Sequence, residues 1–440
     1  MKKTLPLIAL FLFSITVFAQ PKTDSLRITL PQAIHIALNE SPTMRIADRT
    51  IETKKYYKKE QIVALFPNIT GAASYQRTIQ KQKMVMDFMG QTMEIEVGTF
   101  NNMVLSANLT LPIIMPALWN SIKLTSMDIE LSVEQARASK ITLINNVKKA
   151  YYAVLIAQES YKVLMDNYKN VEQNAKLIGD KFNQGLVSEF EKLRAEVQVQ
   201  NIKPNINVAV NAMELSQKAL KIYMGVDINE PMIFMGELKD FETEMEAAKI
   251  PENSSLSLNN NTDLKQVDMA IQQLERSKKI VLSGACPSLV LSGAYQYMTM
   301  GNDIPFGKFN WFPYSVVGVS LQIPITSWAS TTYKTKQINN TILNMNDTRL
   351  NVERALWLSV SSNLSNIDKA IADFESSRES VKMAARAHGI VQKQYEVGMA
   401  TWLDLSSAEI ALVNSQLLYY QSIYEYLVAQ SELEYVLGRD

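Results

Sequence analysis

"KQYEVGMATWLDLSSAE", residues 393–409, holds one glycine, Gly398, between two runs with helical patterning. "DKFNQGLVSEFEKLRAE", residues 180–196, sets Gly185 in the same place. Glycine ends a helix readily because it enters the left-handed conformation without a steric penalty. Each stretch therefore predicts a helix, a tight tip and a returning helix, and the chain makes this hairpin twice. In the first tip Ser188 is placed to cap the return helix, with Glu191 at the capping-box position. Pro204 is expected to break or kink that return helix.

The helices leading into the tips are very long. Positions 143, 147, 150, 154, 157, 161, 164, 168, 171, 175, 178 and 182 are apolar or aromatic, from Leu143 to Phe182. The alternating spacing of four and three is a coiled-coil seam. The equivalent line of the second half runs from Leu356 to Tyr395, interrupted by Asn363, Ser377 and His388. Without prolines, helices are expected from near Trp119 to Asn183 and from near Trp328 to Val397. At 1.5 Å per residue each would be roughly 100 Å long, which suits a tube or rod rather than a globular core. After the second tip, Leu403, Ile410, Leu417 and Tyr424 recur at heptad spacing, with Val413, Tyr420 and Leu427 between them.

The repeat extends beyond the hairpins. "ALFPNITGAASYQ" (64–76) matches "GACPSLVLSGAYQY" (284–297), and "SANLTLPI" (106–113) matches "GVSLQIPI" (318–325). Each copy reads helix, strand, loop, strand, very long helix, tip, helix. The boundaries expected are a signal peptide at 1–19, a first repeat at 20–228, a linker at 229–258 and a second repeat at 259–440.

Residues 1–19 have the form of an export signal: "MKK", the apolar "LPLIALFLFSITV", then "VFA" before Gln20. No cysteine at the cleavage point predicts a lipid anchor, and no later run is long and apolar enough for a membrane helix. Any membrane span must therefore use strands. In 103–111 Met103, Leu105, Ala107, Leu109 and Leu111 alternate with Ser106, Asn108 and Thr110. In 317–323 Val317, Val319, Leu321 and Ile323 alternate with Gly318, Ser320 and Gln322. Segments 69–79 and 289–297 are also strand-like, and this alternation is the mark of a transmembrane barrel strand. Residues 81–99 and 298–313 join the strands as loops with no helical pattern. Four strands cannot close a barrel, and an open edge is not tolerated in lipid. Several chains must share one barrel: two give eight strands, three give twelve.

Composition excludes other classes. The chain has 44 basic and 44 acidic residues, so net charge points to no nucleic-acid partner. One cysteine, Cys286, excludes an intramolecular disulfide and a cysteine-cluster metal site. His35 and His388 lie apart and no metal site or cofactor is expected, with His388 read as a polar residue on the helix interface. Met84, Met86, Met89 and Met93 could handle a soft metal, although methionine is first an adaptable filler. No phosphate-binding loop or nucleophile motif points to an enzyme.

In order and spacing, "LRITLPQAIHIALNESPTMRIAD" (26–48), "YEVGMATWLDLSSAE" (395–409), the first tip and the final "LEYVLGRD" (433–440) resemble the outer membrane efflux proteins, the TolC-like channels. The resemblance covers nearly the whole mature chain. It implies an α+β membrane protein, a homotrimer whose four strands per chain form a twelve-stranded β-barrel in outer membrane lipid. A tunnel of coiled-coil helices hangs below in the periplasm. It implies shorter helices stacked end to end, here 43–66 and 190–224. It also implies partners docking at the tips: a periplasmic adaptor protein and an inner-membrane transporter. The function implied is a passive duct for small toxic molecules; a type I protein-secretion channel and a non-conducting coiled-coil scaffold are the alternatives.

The resemblance also implies a gate at the tips. Tyr395, Gly398 and Asp404 match the family pattern, and Glu191 is the first-copy equivalent of Asp404. Ala400 and Ser407 stand where the best-known member has an arginine and a second aspartate, so the closing network is altered. Three chains would place three Glu191 and three Asp404 near one constriction, and such rings favour cations. The competing reading is a pair of solvated helix-start carboxylates stabilised by the helix dipole.

Overall fold

The structure, a computed structural model, describes residues 26–88, 90–247, 256–303 and 310–439. The expected signal peptide, Met89 and part of each of the segments 229–258 and 298–313 lie outside the described residues. In the first half the chain forms β1 (Leu26–Ile28), α1 (Leu30–Glu40), α2 (Pro42–Val63), β2 (Asn68–Arg77), β3 (Gln82–Phe88), β4 (Gln91–Val97), β5 (Asn101–Ile114), α3 (Pro116–Asn183) and α4 (Glu189–Met224). In the second half it forms β6 (Met232–Phe234), a 3-10 turn at Leu238–Phe241, α5 (Glu242–Ala247), α6 (Thr262–Ser283), β7 (Ser288–Gly301), β8 (Phe312–Gln322), α7 (Ser327–Glu396) and α8 (Trp402–Val436).

α3 has 68 residues and α7 has 70, so each runs for roughly 100 Å. The seam holds along both: none of its positions from Leu143 to Phe182 or from Leu356 to Tyr395 is exposed. Val154 and Val360 are fully buried, and Ile367 and Phe374 nearly so. A continuous apolar line of this kind buries itself only against another helix, and α4 takes that place beside α3, α8 beside α7.

Shorter helices complete each long one. α4 ends at Gly225, in the left-handed conformation, directly against Glu40 and Ser41. Buried Ser41 closes α1 and caps α2, its hydroxyl accepting from the Thr43 amide at 3.3 Å. α2 and α4 thus meet end to end alongside α3, with α2 finishing at Val63 before a turn. The second copy repeats the joint: Gly438 lies against Asn260, and Asn261 caps α6 while its amide donates to the Val436 carbonyl at 2.8 Å. Pro204 does not break α4, which runs unbroken through it. The carbonyl of Gln200, deprived of its helical donor, sits on the exposed side with Pro204, so water can replace the lost bond.

The main sheet is antiparallel in the order β2-β5-β7-β8. α2 leads into β2, β5 into α3, α6 into β7 and β8 into α7, and α6 lies between α3 and α7. Helices and strands therefore follow the same order across the molecule. The register puts Ile69, Ala73, Leu105, Leu109, Leu291, Tyr295, Val317 and Val319 on one face. Thr70, Ser74, Ser106, Asn108, Ser292 and Gln296 share the other. Tyr75, Tyr297 and Trp311 lie towards the end away from the helices, Tyr297 stacked on Trp311 at 5.9 Å, with Tyr295 beside Tyr297 nearer mid-strand. Both sheet edges, β2 and β8, lack a partner strand among the described residues.

Two expectations need correction. Residues 81–99 are not a plain loop: they carry the antiparallel ribbon β3–β4. Where it is described, the expected linker 229–258 carries structure of its own: β6 pairs parallel with β1, and α5 places Glu242 against Tyr419, Glu246 against Arg378 and Glu244 3.1 Å from Gln430. The heptad line from Leu403 packs only away from the tip: Val413, Leu417 and Tyr424 rest partly buried on the core, and Tyr420 and Leu427 are buried. Leu403 and Ile410 are exposed, while Trp402, Leu405, Glu409, Tyr419 and Ile423 are buried. α8 is apolar nearly all round, so its spacing alone could not choose a face. No described helix is long and apolar enough to cross a membrane.

Candidate functional site

The two tips are built alike. Gly185 turns at φ +75° and Gly398 at +76°. Each turn closes with the same pair of backbone bonds: Gly185 N–H to Phe182 O (2.8 Å) and Leu186 N–H to Lys181 O (2.9 Å), then Gly398 N–H to Tyr395 O (3.2 Å) and Met399 N–H to Gln394 O (2.8 Å). Both are Schellman ends, which satisfy the last carbonyls of the incoming helix.

Side chains join the tips into one body. Ile178 of α3, Ala195 of α4, and Trp402 and Leu405 of α8 form a buried cluster, flanked by Ala175, Val187, Val391 and Tyr395. Tyr395 packs edge-on against Trp402 with ring centres 6.1 Å apart. The Lys181 ammonium sits 4.9 Å from the Tyr395 ring centre, a cation–π contact between the hairpins. Sequence reasoning missed this anchor. Its signal was Trp402, a large apolar residue directly after the cap Thr401, where an exposed tip would otherwise carry a polar one.

The carboxylates differ. Asp404 accepts from the Thr401 amide at 2.9 Å and from the Thr401 hydroxyl at 2.6 Å, and that hydroxyl accepts from the Asp404 amide at 3.3 Å. This is a complete capping box, and its hydrogen bonds from the Thr401 side chain and backbone hold the carboxyl below its usual range. At the first tip only half the box forms: Ser188 Oγ accepts from the Glu191 amide at 3.2 Å. The Glu191 side chain lies near Tyr395, whose hydroxyl is pushed up first by burial and then by the Glu191 charge. One chain thus brings Glu191 and Tyr395 together, while Asp404 turns back on its own helix start.

Two further polar groups lie higher in the wall. Glu409 is 4% exposed, its Oε1 finds no partner, and burial pushes its carboxyl up to about 7. His388 is half-buried on α7 with Nε2 unpartnered, and burial lowers its pKa. Among the described residues no three histidine, cysteine, aspartate or glutamate side chains cluster as metal ligands would. The site offers a hairpin end lined with carboxylates and aromatics, which can shape and charge a passage.

The pattern defining the outer membrane efflux protein family matches residues 33–226 and 253–439. The outer membrane protein TolC of Vibrio cholerae is 22% identical over 329 residues, 73% of this chain and 73% of its own length. TolC of Escherichia coli is 22% identical over 352 residues, 76% of this chain and 69% of its own. Among solved structures, the CmeC outer membrane channel of Campylobacter jejuni superimposes with a TM-score of 0.73 at 18% identity, covering 93% of this chain and 85% of CmeC. The open-state MtrE outer membrane channel of Neisseria gonorrhoeae gives 0.73 at 16% identity, covering 93% and 89%. The solved relatives are channels rather than enzymes, and they share the fold of long helices and strands described above.

Proposed function

The chain belongs to the outer membrane efflux protein family, and from that premise we propose that it is the outer membrane duct of a tripartite export system. Three copies close one twelve-stranded barrel and one helical tunnel. The duct is passive and has no enzymatic role; it carries small toxic molecules delivered by an inner-membrane pump through a periplasmic adaptor that docks at the tips. Residues 1–19 direct export, and 20–228 and 259–440 are the two repeats joined by 229–258.

The observation that carries this reading is the sheet. One face is predominantly apolar, the other mixes polar with apolar residues, and both edges lack a partner strand among the described residues. In lipid each edge must find a strand, and β2 of one copy meets β8 of the next. Because the helices follow the same order as the strands, the same rotation brings α2 and α4 of one copy beside α7 of its neighbour. Those helices carry exposed apolar residues such contacts need: Ile46 and Val197 on one side, Leu343, Leu350 and Leu358 on the other. Glu191, Tyr395 and Asp404 then line the periplasmic entrance, with Gly185 and Gly398 as its turning points.

The test is the mass of protein extracted from the outer membrane. Detergent-solubilised protein measured by light scattering should be a trimer, with the polypeptide absent from the soluble periplasmic fraction. A monodisperse monomer recovered without detergent would overturn the reading.

A further inference from the structure

The β3–β4 ribbon leaves one of its sides without a partner. Directly paired residues of an antiparallel ribbon share a side, and successive pairs alternate. The register pairs Met84 with Ile95, Met86 with Met93 and Gln82 with Val97. Met84, Met86, Met93, Ile95 and Val97 therefore share one side, each between 39% and 49% exposed. The opposite side carries Lys83, Asp87, Thr92, Glu94 and Glu96 along with Val85. There Lys83 Nζ lies 3.1 Å from Glu94, and the Thr92 hydroxyl donates to Asp87 at 3.0 Å. Among the described residues neither strand packs extensively on another helix or strand of its own chain. A lone two-stranded ribbon is marginal in water, so this apolar side needs cover.

Lipid tails are poorly placed to provide it. The ribbon begins beyond Tyr75, Arg77 and Lys81, past the aromatic residues that mark the interface at that end of the sheet. The cover must come from above the hydrocarbon. The ribbon also grows out of β2 and β5, and β2 is the edge that meets the next copy in the trimer proposed above, on which this inference rests. It therefore stands on the subunit boundary, at the end of the barrel opposite the helices. Three-fold symmetry brings three such ribbons to one mouth, where each meets the others at the high effective concentration of a tethered partner.

We propose that the apolar side of each ribbon is covered by the same side of the ribbons of the other two copies. The three together form an apolar constriction that narrows the outer mouth of the barrel without sealing it to ions. Its methionines suit this role, because flexible thioether chains pack against one another and rearrange when an exported molecule pushes through. The charged sides face water, where ion pairs such as Lys83–Glu94 keep the ribbons soluble.

The experiment uses the full-length protein in the outer membrane of intact cells, with Cys286→Ser as background because Cys286 is the chain's exposed thiol. Met86→Cys and, separately, Met93→Cys are oxidised mildly, with Val85→Cys as the charged-side control. Light scattering of each purified protein reports assembly independently. Trimers in which Met86→Cys and Met93→Cys run mostly as disulfide-linked pairs, with Val85→Cys at background, are the expected result. Trimers in which neither apolar-side thiol cross-links, or in which Val85→Cys cross-links equally well, would overturn the ribbon constriction while leaving the duct standing. Cross-links to a different protein would overturn it also, by naming another occupant. A monomer by light scattering would instead remove the trimer and the constriction together.

Discussion

Gly225 and Gly438 sit where two helices meet end to end, and a single added carbon has no room there. A Cβ on Gly225 would lie 2.6 Å from the Glu40 carbonyl oxygen, and one on Gly438 only 2.2 Å from that of Asn260. At Gly185 and Gly398 the same atom would meet nothing within 4 Å. Alanine at the tips therefore costs the left-handed strain alone, about 1–2 kcal/mol. At the joints backbone must also move, so Gly225→Ala and Gly438→Ala should lower the thermal midpoint of the purified protein further than Gly185→Ala and Gly398→Ala. Equal losses at all four would show that the joints can open freely. The tip glycines were legible from "NQGLVS" and "EVGMAT", because a helix end is a local event. The joint glycines were not, because the carbonyls they touch belong to segments distant in sequence. Glu409 is a second test at this scale. Its unfolded value is 4.5 and its folded value about 7, so the folded hairpin holds a proton that the unfolded chain releases. Stability from this group is present below 4.5 and is lost as pH rises to about 7, on the order of 3 kcal/mol in all. His388 has the opposite sense, since its lowered value penalises the charged form at low pH. Comparison with Glu409→Gln isolates the carboxyl: the variant should be more stable than the wild type at neutral pH and lose that advantage on acidification. A pH-independent difference would mean that Glu409 stays ionised in the fold.

Among the elements, the long helices were the most legible and the ribbon the least. Alternation of four and three over twelve positions fixes a buried line whatever the partner, and Val154 and Ile367 occupy equivalent places on it. Val154→Asp or Ile367→Asp buries an unpaired charge on that line, costing several kcal/mol, and should sharply reduce assembled trimer in membrane extracts. Normal trimer yield from both variants would show that the line is not a buried interface. α8 misled only at its start, where apolar Leu403 and Ile410 face outward while Trp402, Leu405 and Glu409 form the buried line. Pro204 does not end α4, and Gln200, whose carbonyl loses its helical donor, is exposed, so water can take the place of the lost bond. In the ribbon, Met84, Met86, Met93, Ile95 and Val97 do alternate. Gly90, at φ +84°, supplies the turn, yet the stretch lacks the Asn-Gly or Asp-Gly signal of a tight hairpin.

At the scale of the whole molecule, the chain is one third of a wall. Strands and helices share one order, both flanks lack a partner among the described residues, and each repeat contributes two strands to the main sheet, one long helix and a stacked pair. The duplication was readable because Pro67 and Pro287, and Tyr75 and Tyr295, recur at one offset and Gly185 and Gly398 follow in the same order. How the tips face one another across three copies was not readable, since Asp404 satisfies its own helix start and a single chain leaves Glu191 beside Tyr395. The central claim, a conducting duct with an acidic periplasmic end, is tested by current through purified trimers in a planar bilayer. Wild-type protein should give stepwise, cation-selective conductance that multivalent cations block, and the Glu191→Gln, Asp404→Asn double variant should assemble normally with weaker selectivity and block. Inserted trimers that pass no current would contradict the account and leave a coiled-coil scaffold in its place.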